Sequence, residues 1–266
     1  MIVNGKAIAA DIYAQLKERR AHIDRPIKLG ILVASKDPVI EMFVRIKTRQ
    51  AAALDVEMVR VDLASDTTQG VASRAVEDLC ATVDGIIVQL PFPHHIDIDA
   101  VLSCIPENRD VEAMNPQTPK DMSRVEVPVA GAIREILIRY EIHPHDMRAV
   151  VVGAGRLVGA PAARLLGELG ARVSIVTLED GSLEELHDAD IAVLGAGNPG
   201  FVTPDMIKAG IVLIDAGTSE AGGKIRGDAD PACAEKAAIF TPVPGGVGPI
   251  AVAMIFKNLF DLVEID

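Results

Sequence analysis

Apolar and polar positions along the chain change period repeatedly, from the three-to-four spacing of a helix to unbroken apolar runs and back. Over residues 7 to 20, Ile8, Ile12 and Leu16 recur four apart, the stripe of an amphipathic helix. The run at 28 to 34 is almost continuously apolar and predicts a buried strand. It ends at Asp37-Pro38, an N-cap residue before a first-turn proline, and Val39, Met42, Phe43 and Ile46 then return to helical spacing. A second strand is expected at 56 to 63, a helix at 68 to 82, and a third strand at 84 to 90 that stops at Pro91-Phe92-Pro93. Residues 105 to 130, with prolines at 106, 116, 119 and 128 and few apolar runs, read as a surface crossing, followed by a helix from Gly131 to Tyr140.

From Ala149 the alternation resumes: a strand, a glycine-rich turn, a helix at 158 to 169, and strands at 171 to 176, 190 to 197 and 210 to 217. A proline and glycine segment at 239 to 249 then leads to a last helix at 250 to 263. Strands alternating with helices imply parallel sheets, so the fold class is α/β with two domains. The expected boundaries are a catalytic domain at 1 to 120, with the helix at 250 to 266 packed back on it, and a Rossmann-type doubly wound domain at 121 to 249. There is no internal repeat or low-complexity tract.

Composition narrows the function classes. With 49 % hydrophobic residues, a chain of 266 can build two cores. A net charge of −12 leaves no continuous basic surface for a phosphate backbone, which argues against nucleic acid as a partner. Cys80, Cys104 and Cys233 are odd in number and never in CxxC spacing, so they read as reduced thiols, with no disulfide framework and no metal site. The amino-terminal stretch lacks an export pattern, and no run of about 18 apolar residues occurs, so the expected location is the cytoplasm, away from membrane.

Gly153, Gly155 and Gly159 stand directly after a buried strand and directly before a helix, where backbone amides and the helix dipole can hold a pyrophosphate. The spacing is GxGxxxG, looser than the usual dinucleotide fingerprint, and a plain tight turn would also use it. About 20 residues on, Glu179 and Asp180 follow a second strand, where an acid bonds the adenosine ribose hydroxyls and repels a 2′-phosphate. This favours NAD over NADP, whereas Arg156 beside the turn suits NADP. The glycine turns at 195 to 200 and 215 to 217 follow strand ends as well, the edge at which doubly wound sheets bind ligands. The cofactor contacts expected from these segments are Gly153, Ala154, Gly155, Arg156, Val158 and Gly159 in the first turn, and Thr177 with Glu179 in the second. Gly195 with Ala196, Gly217 with Thr218, and Gly245 with Gly246 complete them.

In the first half, Phe43 and Lys47 are four apart on one predicted helix and share a face beside its apolar stripe. Such a lysine commonly snorkels to solvent. Gln89, however, ends a buried strand in VQLPFP, where its amide needs a partner and a nearby lysine would suit.

These segments together resemble the methylenetetrahydrofolate dehydrogenase/cyclohydrolases, the FolD-type proteins. The resemblance runs nearly the whole length and is most specific in TPVPGGVGP at 241 to 249. It is carried further by FVRIK at 43 to 47, VQLPFP at 88 to 93, RDVEAMNP at 109 to 116, VVVGAGRLVGAP at 150 to 161, AGNPGFV at 196 to 202 and GKIRGD at 223 to 228. It implies a cleft between a catalytic and a nicotinamide domain, in which 5,10-methylenetetrahydrofolate is oxidised to the methenyl form with NAD or NADP. Hydrolysis to 10-formyltetrahydrofolate follows, without a metal, in a homodimer. It implies Lys47 as the central catalytic group, positioned by Gln89. Substrate contacts are expected from Phe43, from Asp110 and Glu112 against the pterin, and from Pro249 and Ile250.

The residue types suit that chemistry. The methenyl intermediate is an amidinium-like cation, which discourages a neighbouring lysine from carrying charge and lets it act as a base toward water. A glutamine partner orients the amine without stabilising its charged form as a carboxylate would.

Several positions depart from the family pattern. The usual tyrosine is Phe43, and a serine three before it is Ile40. DVDG reads Asp110, Val111, Glu112, Ala113, so the second carboxylate reaches about 1.5 Å further. PCTP reads Pro128, Val129, Ala130, Gly131, and a threonine after PGGVGP is Ala251. Losing hydroxyls around a retained lysine weakens water activation more than hydride transfer, which mainly needs two rings in register. The expectation is a dehydrogenase with weakened hydrolysis. Alternatives are a pocket shifted toward a modified folate or other pterin carrier, and a non-catalytic nucleotide-binding relative, against which Lys47 argues. An unrelated small-acid dehydrogenase would explain the glycine turn but not Lys47 with Gln89.

Overall fold

The structure, a computed structural model, describes residues 1–119, 123–179, 182–221 and 224–265. Asp180 and Gly223, both named above, lie outside the described residues. By its internal packing the chain divides into two units, Met1–Ala10 with Val127–Met254, and Asp11–Glu126 with Ile255–Asp266.

The chain enters with helix α1 (Gly5–Arg20), whose Ile8, Ile12 and Leu16 are all buried. Strand β1 (Ile27–Val33), helix α2 (Pro38–Ala53), strand β2 (Val56–Asp62), helix α3 (Gln69–Cys80) and strand β3 (Gly85–Gln89) follow. The three strands form a parallel sheet in the order β2-β1-β3. Central β1 is buried almost throughout, as its unbroken apolar run requires, while edge strand β2 alternates toward solvent. The Asp37 carboxylate caps α2 by accepting from the amides of Val39 and Ile40.

Two expectations here need correction. The buried face of α2 is Ile40, Val44, Lys47 and Ala51, with Val39, Met42, Phe43 and Ile46 only partly covered. Apolar residues occur around most of this helix, so apolarity alone does not choose the inward side. The second concerns 105 to 130, which is not a plain surface crossing. A short helix α4 (Ile98–Leu102) leads to buried Ile105, and a 3-10 turn at Glu107–Arg109 precedes buried Val111, Ala113 and Met114. Its backbone polar groups find side-chain partners instead of water, described below.

In the other unit helix α5 (Pro128–Arg139) starts three residues earlier than expected because Pro128 takes the first helical position. Strand β4 (Arg148–Val152), helix α6 (Gly159–Glu168), and strands β5 (Arg172–Val176), β6 (Ile191–Leu194) and β7 (Val212–Asp215) come next. An antiparallel pair that was not anticipated, β8 (Ser219–Ala221) and β9 (Lys224–Arg226), precedes β10 (Ile239–Phe240) and helix α7 (Val247–Ile265). The large sheet is parallel with order β10-β7-β6-β4-β5. The chain steps from β4 outward to β5, then returns to the other side of β4 at β6. That reversal is the switch point of a doubly wound sheet, and it opens a crevice beyond the carboxyl ends of β4 and β6. The first residues extend this sheet: the amide of Val3 donates to Phe240 O at 2.8 Å. No helix among the described residues is long and apolar enough to cross a membrane.

Candidate active site

Lys47 lies in the buried stripe of α2 at 8 % exposure, and its Nζ donates to Gln89 Oε1 at 2.8 Å. The parallel register pairs Val33 with Gln89, so the carboxyl end of β3 brings the amide alongside the strand that leads into α2. Gln89 cannot turn round freely, because its Nε2 donates to Leu90 O at 3.0 Å and thereby aims Oε1 at the lysine. Burial lowers the Lys47 pKa from its ordinary value, with the Glu112 charge opposing. Burial raises that of Glu112, with Lys47 opposing and Asp110 adding to the rise. A buried amine whose oriented partner is a neutral amide gives up its proton more readily than an ordinary lysine.

Glu112 is carried on a turn that the chain builds from within. Asp110 pairs in register with Ile86 beside β3, and its carboxylate accepts from the amides of Glu112 at 3.3 Å and Asn115 at 2.7 Å. Asn115 donates from Nδ2 to Ile105 O at 2.8 Å and accepts from the Gln117 amide at 2.8 Å. From α7, Asn258 Nδ2 donates to Val111 O at 2.8 Å and to Glu126 O at 2.7 Å. Asp110, Asn115 and Asn258 are all buried. They satisfy the backbone that a buried loop would otherwise leave unpaired. Ala113 takes a left-handed φ of 52°, where the family pattern has glycine; such a residue costs roughly 1–2 kcal/mol.

The structure therefore brings Lys47, Gln89 and Glu112 together, with half-buried Phe43 one turn before Lys47 on the same face of α2. Asp110 is engaged with its own turn. Pro249 and Ile250 belong to the other unit, and Ile250 is wholly buried in α7.

In that other unit, the turn after β4 has the shape its glycines permit. Gly153 has a φ of 98°, and its amide donates to Val176 O at 2.8 Å. A Cβ on Gly153 would sit 2.6 Å from Gly195 O, and one on Gly159 would sit 1.9 Å from Gly153 O. A Cβ on Gly155 would meet nothing within 4 Å. Two of the three glycines are thus demanded by the protein itself, while the third faces open space in the turn that leads to α6, which fits the approach of a pyrophosphate. Arg156 and Glu179 are exposed, and Thr177 directly follows β5. Gly195 packs against Val158, whose Cγ1 lies 2.4 Å from where a Cβ would be. Gly246 and Gly245 present their carbonyls to Gly5 at the start of α1.

Sequence reading missed the two buried aspartates behind these turns. The Asp215 carboxylate accepts from the amides of Gly217, Asp228 and Ala229 at 3.0, 3.2 and 2.9 Å. Desolvation nonetheless pushes its pKa up to about 6. The folded state then holds a proton more tightly than the unfolded chain. The stabilisation is full below about pH 4 and is lost as pH rises through about 6, at most about 3 kcal/mol. Asp215→Asn removes this titration, so between pH 4 and 7 its urea midpoint should fall less than that of the wild type. Parallel pH curves for the two proteins would contradict it. Among the described residues no cluster of three or more His, Cys, Asp or Glu is placed to hold a metal ion.

Family models match both halves of the chain. Residues 3–112 match the catalytic domain of tetrahydrofolate dehydrogenase/cyclohydrolase, and residues 128–266 match its NAD(P)-binding domain. The chain belongs to the tetrahydrofolate dehydrogenase/cyclohydrolase family. A relative from Halothermothrix orenii, bifunctional protein FolD, is 38 % identical over 97 % of this chain and 95 % of its own. The crystal structure of the bifunctional FolD of Campylobacter jejuni superposes with a TM-score of 0.93 at 28 % identity, covering 100 % of this chain and 99 % of that one. The Trypanosoma brucei FolD, solved with NADP and an inhibitor, gives 0.93 at 31 % identity, covering 100 % and 97 %. Within the family frame, the departures at Ile40 and Ala130 are both buried apolar positions, and Gly131 is buried beside the latter in α5.

Proposed function

We propose that this protein oxidises 5,10-methylenetetrahydrofolate to 5,10-methenyltetrahydrofolate with a nicotinamide cofactor and hydrolyses the product to 10-formyltetrahydrofolate. The observation that carries this reading is buried Lys47 bonded to the partly buried Gln89 with Glu112 nearby, in a chain of which a bifunctional FolD relative matches 97 %. A bound nicotinamide supplies the hydride acceptor. Gly155 and the amides at the start of α6 would hold its pyrophosphate, and Glu179 its adenosine ribose, which favours NAD.

The chain's own groups manage the second step. Hydride loss leaves a cationic methenyl carbon between two nitrogens, and that charge keeps Lys47 neutral. The neutral amine takes a proton from water as the oxygen bonds to the carbon. The added hydroxyl then loses its proton as its oxygen becomes the formyl carbonyl, the carbon–N5 bond breaks and N5 takes up a proton, and the proton held by Lys47 is released to solvent. Glu112 reads the N–H edge of the pterin as an acceptor. The same reading carries a cytoplasmic homodimer acting on small molecules.

Phe43 lacks a hydroxyl to orient Lys47 or the water, so hydrolysis is the slower step. In an assay of the purified protein with methylenetetrahydrofolate and either cofactor, reduced cofactor should appear with methenyl absorbance accumulating, and more with NAD than with NADP. Phe43→Tyr should shorten the accumulation. Hydrolysis keeping pace with oxidation in the wild type would remove the argument from Phe43. Absence of reduction with either cofactor would turn attention to a modified pterin carrier.

A further inference from the structure

Asp228 is wholly buried and takes no part in the steps above. Its Oδ2 accepts from the amides of Ala196 at 2.7 Å and Gly197 at 3.1 Å, and its Oδ1 from that of Asn198 at 2.8 Å. Successive amides converging in this way form a nest, a concavity that elsewhere binds phosphate. Here the anion is a side chain of the protein. The carboxylate is boxed in: a Cβ on Gly217 would lie 2.3 Å from its carbon, and its own backbone amide donates to Asp215. Thr241 joins the assembly, its Oγ1 accepting from the Asp215 amide at 2.6 Å. Ser219 Oγ donates to Gly197 O at 2.9 Å. Turns from three separate strand ends are thus tied to one another through two buried carboxylates.

A doubly wound sheet binds a dinucleotide across its switch point. The adenosine half lies by β4 and β5, where Glu179 follows the strand, so the other half lies over the ends of β6 and β7, where these turns are. Resting on the cofactor reading given above, we propose that Asp228 is a positioning residue for the nicotinamide half of the cofactor. By filling the amides of residues 196 to 198 it closes this turn to phosphate, leaves the pyrophosphate to the turn at 153 to 159, and fixes the second turn as the seat of the nicotinamide end. It does so without touching the ligand.

The test compares two ligands in wild type and Asp228→Asn: the preferred dinucleotide, and ADP-ribose or its 2′-phosphate, which lacks the nicotinamide. An asparagine would turn an NH2 group toward amide donors, so the 196 to 198 turn must shift. The dinucleotide Kd should rise about tenfold or more while that of ADP-ribose stays within about twofold. Asp228→Glu, which keeps the charge but is one methylene too long for the space that Gly217 closes, should give the same split, and it serves alone if Asp228→Asn does not fold. Equal weakening of both ligands, or no change in either, in a cooperatively melting variant would overturn the proposal. Wild-type protein that binds neither ligand would overturn the cofactor reading itself.

Discussion

Replacing Lys47 with arginine or methionine should lower hydrolysis of methenyltetrahydrofolate by about 10²- to 10⁴-fold, the range lost when a positioned general base is removed. The two substitutions fail for different reasons. Arginine keeps a cation on the helix but is never deprotonated near neutrality, so it cannot accept the proton from water. Methionine keeps length and apolar volume, and leaves the partly buried Gln89 Oε1 without its donor at 2.8 Å. Cofactor affinity should be unchanged in both, since the nucleotide turns lie in the other unit. The pH profile gives a second reading. With its pKa lowered by burial, Lys47 becomes the active base as pH rises, so hydrolysis climbs and levels off below the ordinary lysine range. The arginine variant should show no such limb. A variant that hydrolyses at the wild-type rate would mean that water is activated elsewhere.

How far this site could be read from sequence depends on whether a residue's role is local. The glycines after β4, the Asp37-Pro38 start of α2 and the buried runs of β1 and β4 follow from neighbouring residues, and they stand where expected. The pairing of Lys47 with Gln89 spans 42 positions, yet a polar amide at a buried strand end already demanded a partner. The segment at 105 to 115 defeated the reading because prolines and scattered polar residues look like a surface loop. Its burial depends on Asn258, which is 147 residues from the Val111 carbonyl it meets. Asp228 was hidden for a similar reason. Within GKIRGD nothing marks its carboxylate as the acceptor for three amides about 30 residues earlier, and only the folded sheet brings the two strand ends together. The missed inward face of α2 is a failure of another kind: too many apolar positions gave no contrast from which to choose a side.

The glycine-rich turn offers the sharpest separation of structural from binding roles. Gly159→Ala should damage both the fold and cofactor binding, because its Cβ would lie 1.9 Å from Gly153 O and 2.6 Å from Gly153 C. These are backbone atoms that no rotamer change can move, so the first turn of α6 must shift, at a cost of about 1–3 kcal/mol for overpacking. For a chain of this size that lowers Tm by roughly 2–12 °C. Gly155→Ala should behave otherwise. Nothing lies within 4 Å of its Cβ position, so stability should hold within about 0.5 kcal/mol. The methyl group would still stand where a pyrophosphate must come close to the backbone, and cofactor Kd should rise by about 10- to 100-fold. Thermal melts paired with cofactor titrations on the two variants read both quantities. A Gly155→Ala protein that melts and binds like the wild type would show that this turn is only a tight connection between strand and helix. Normal melting with lost binding would assign the open face of Gly155 to the cofactor, independently of any catalytic assay.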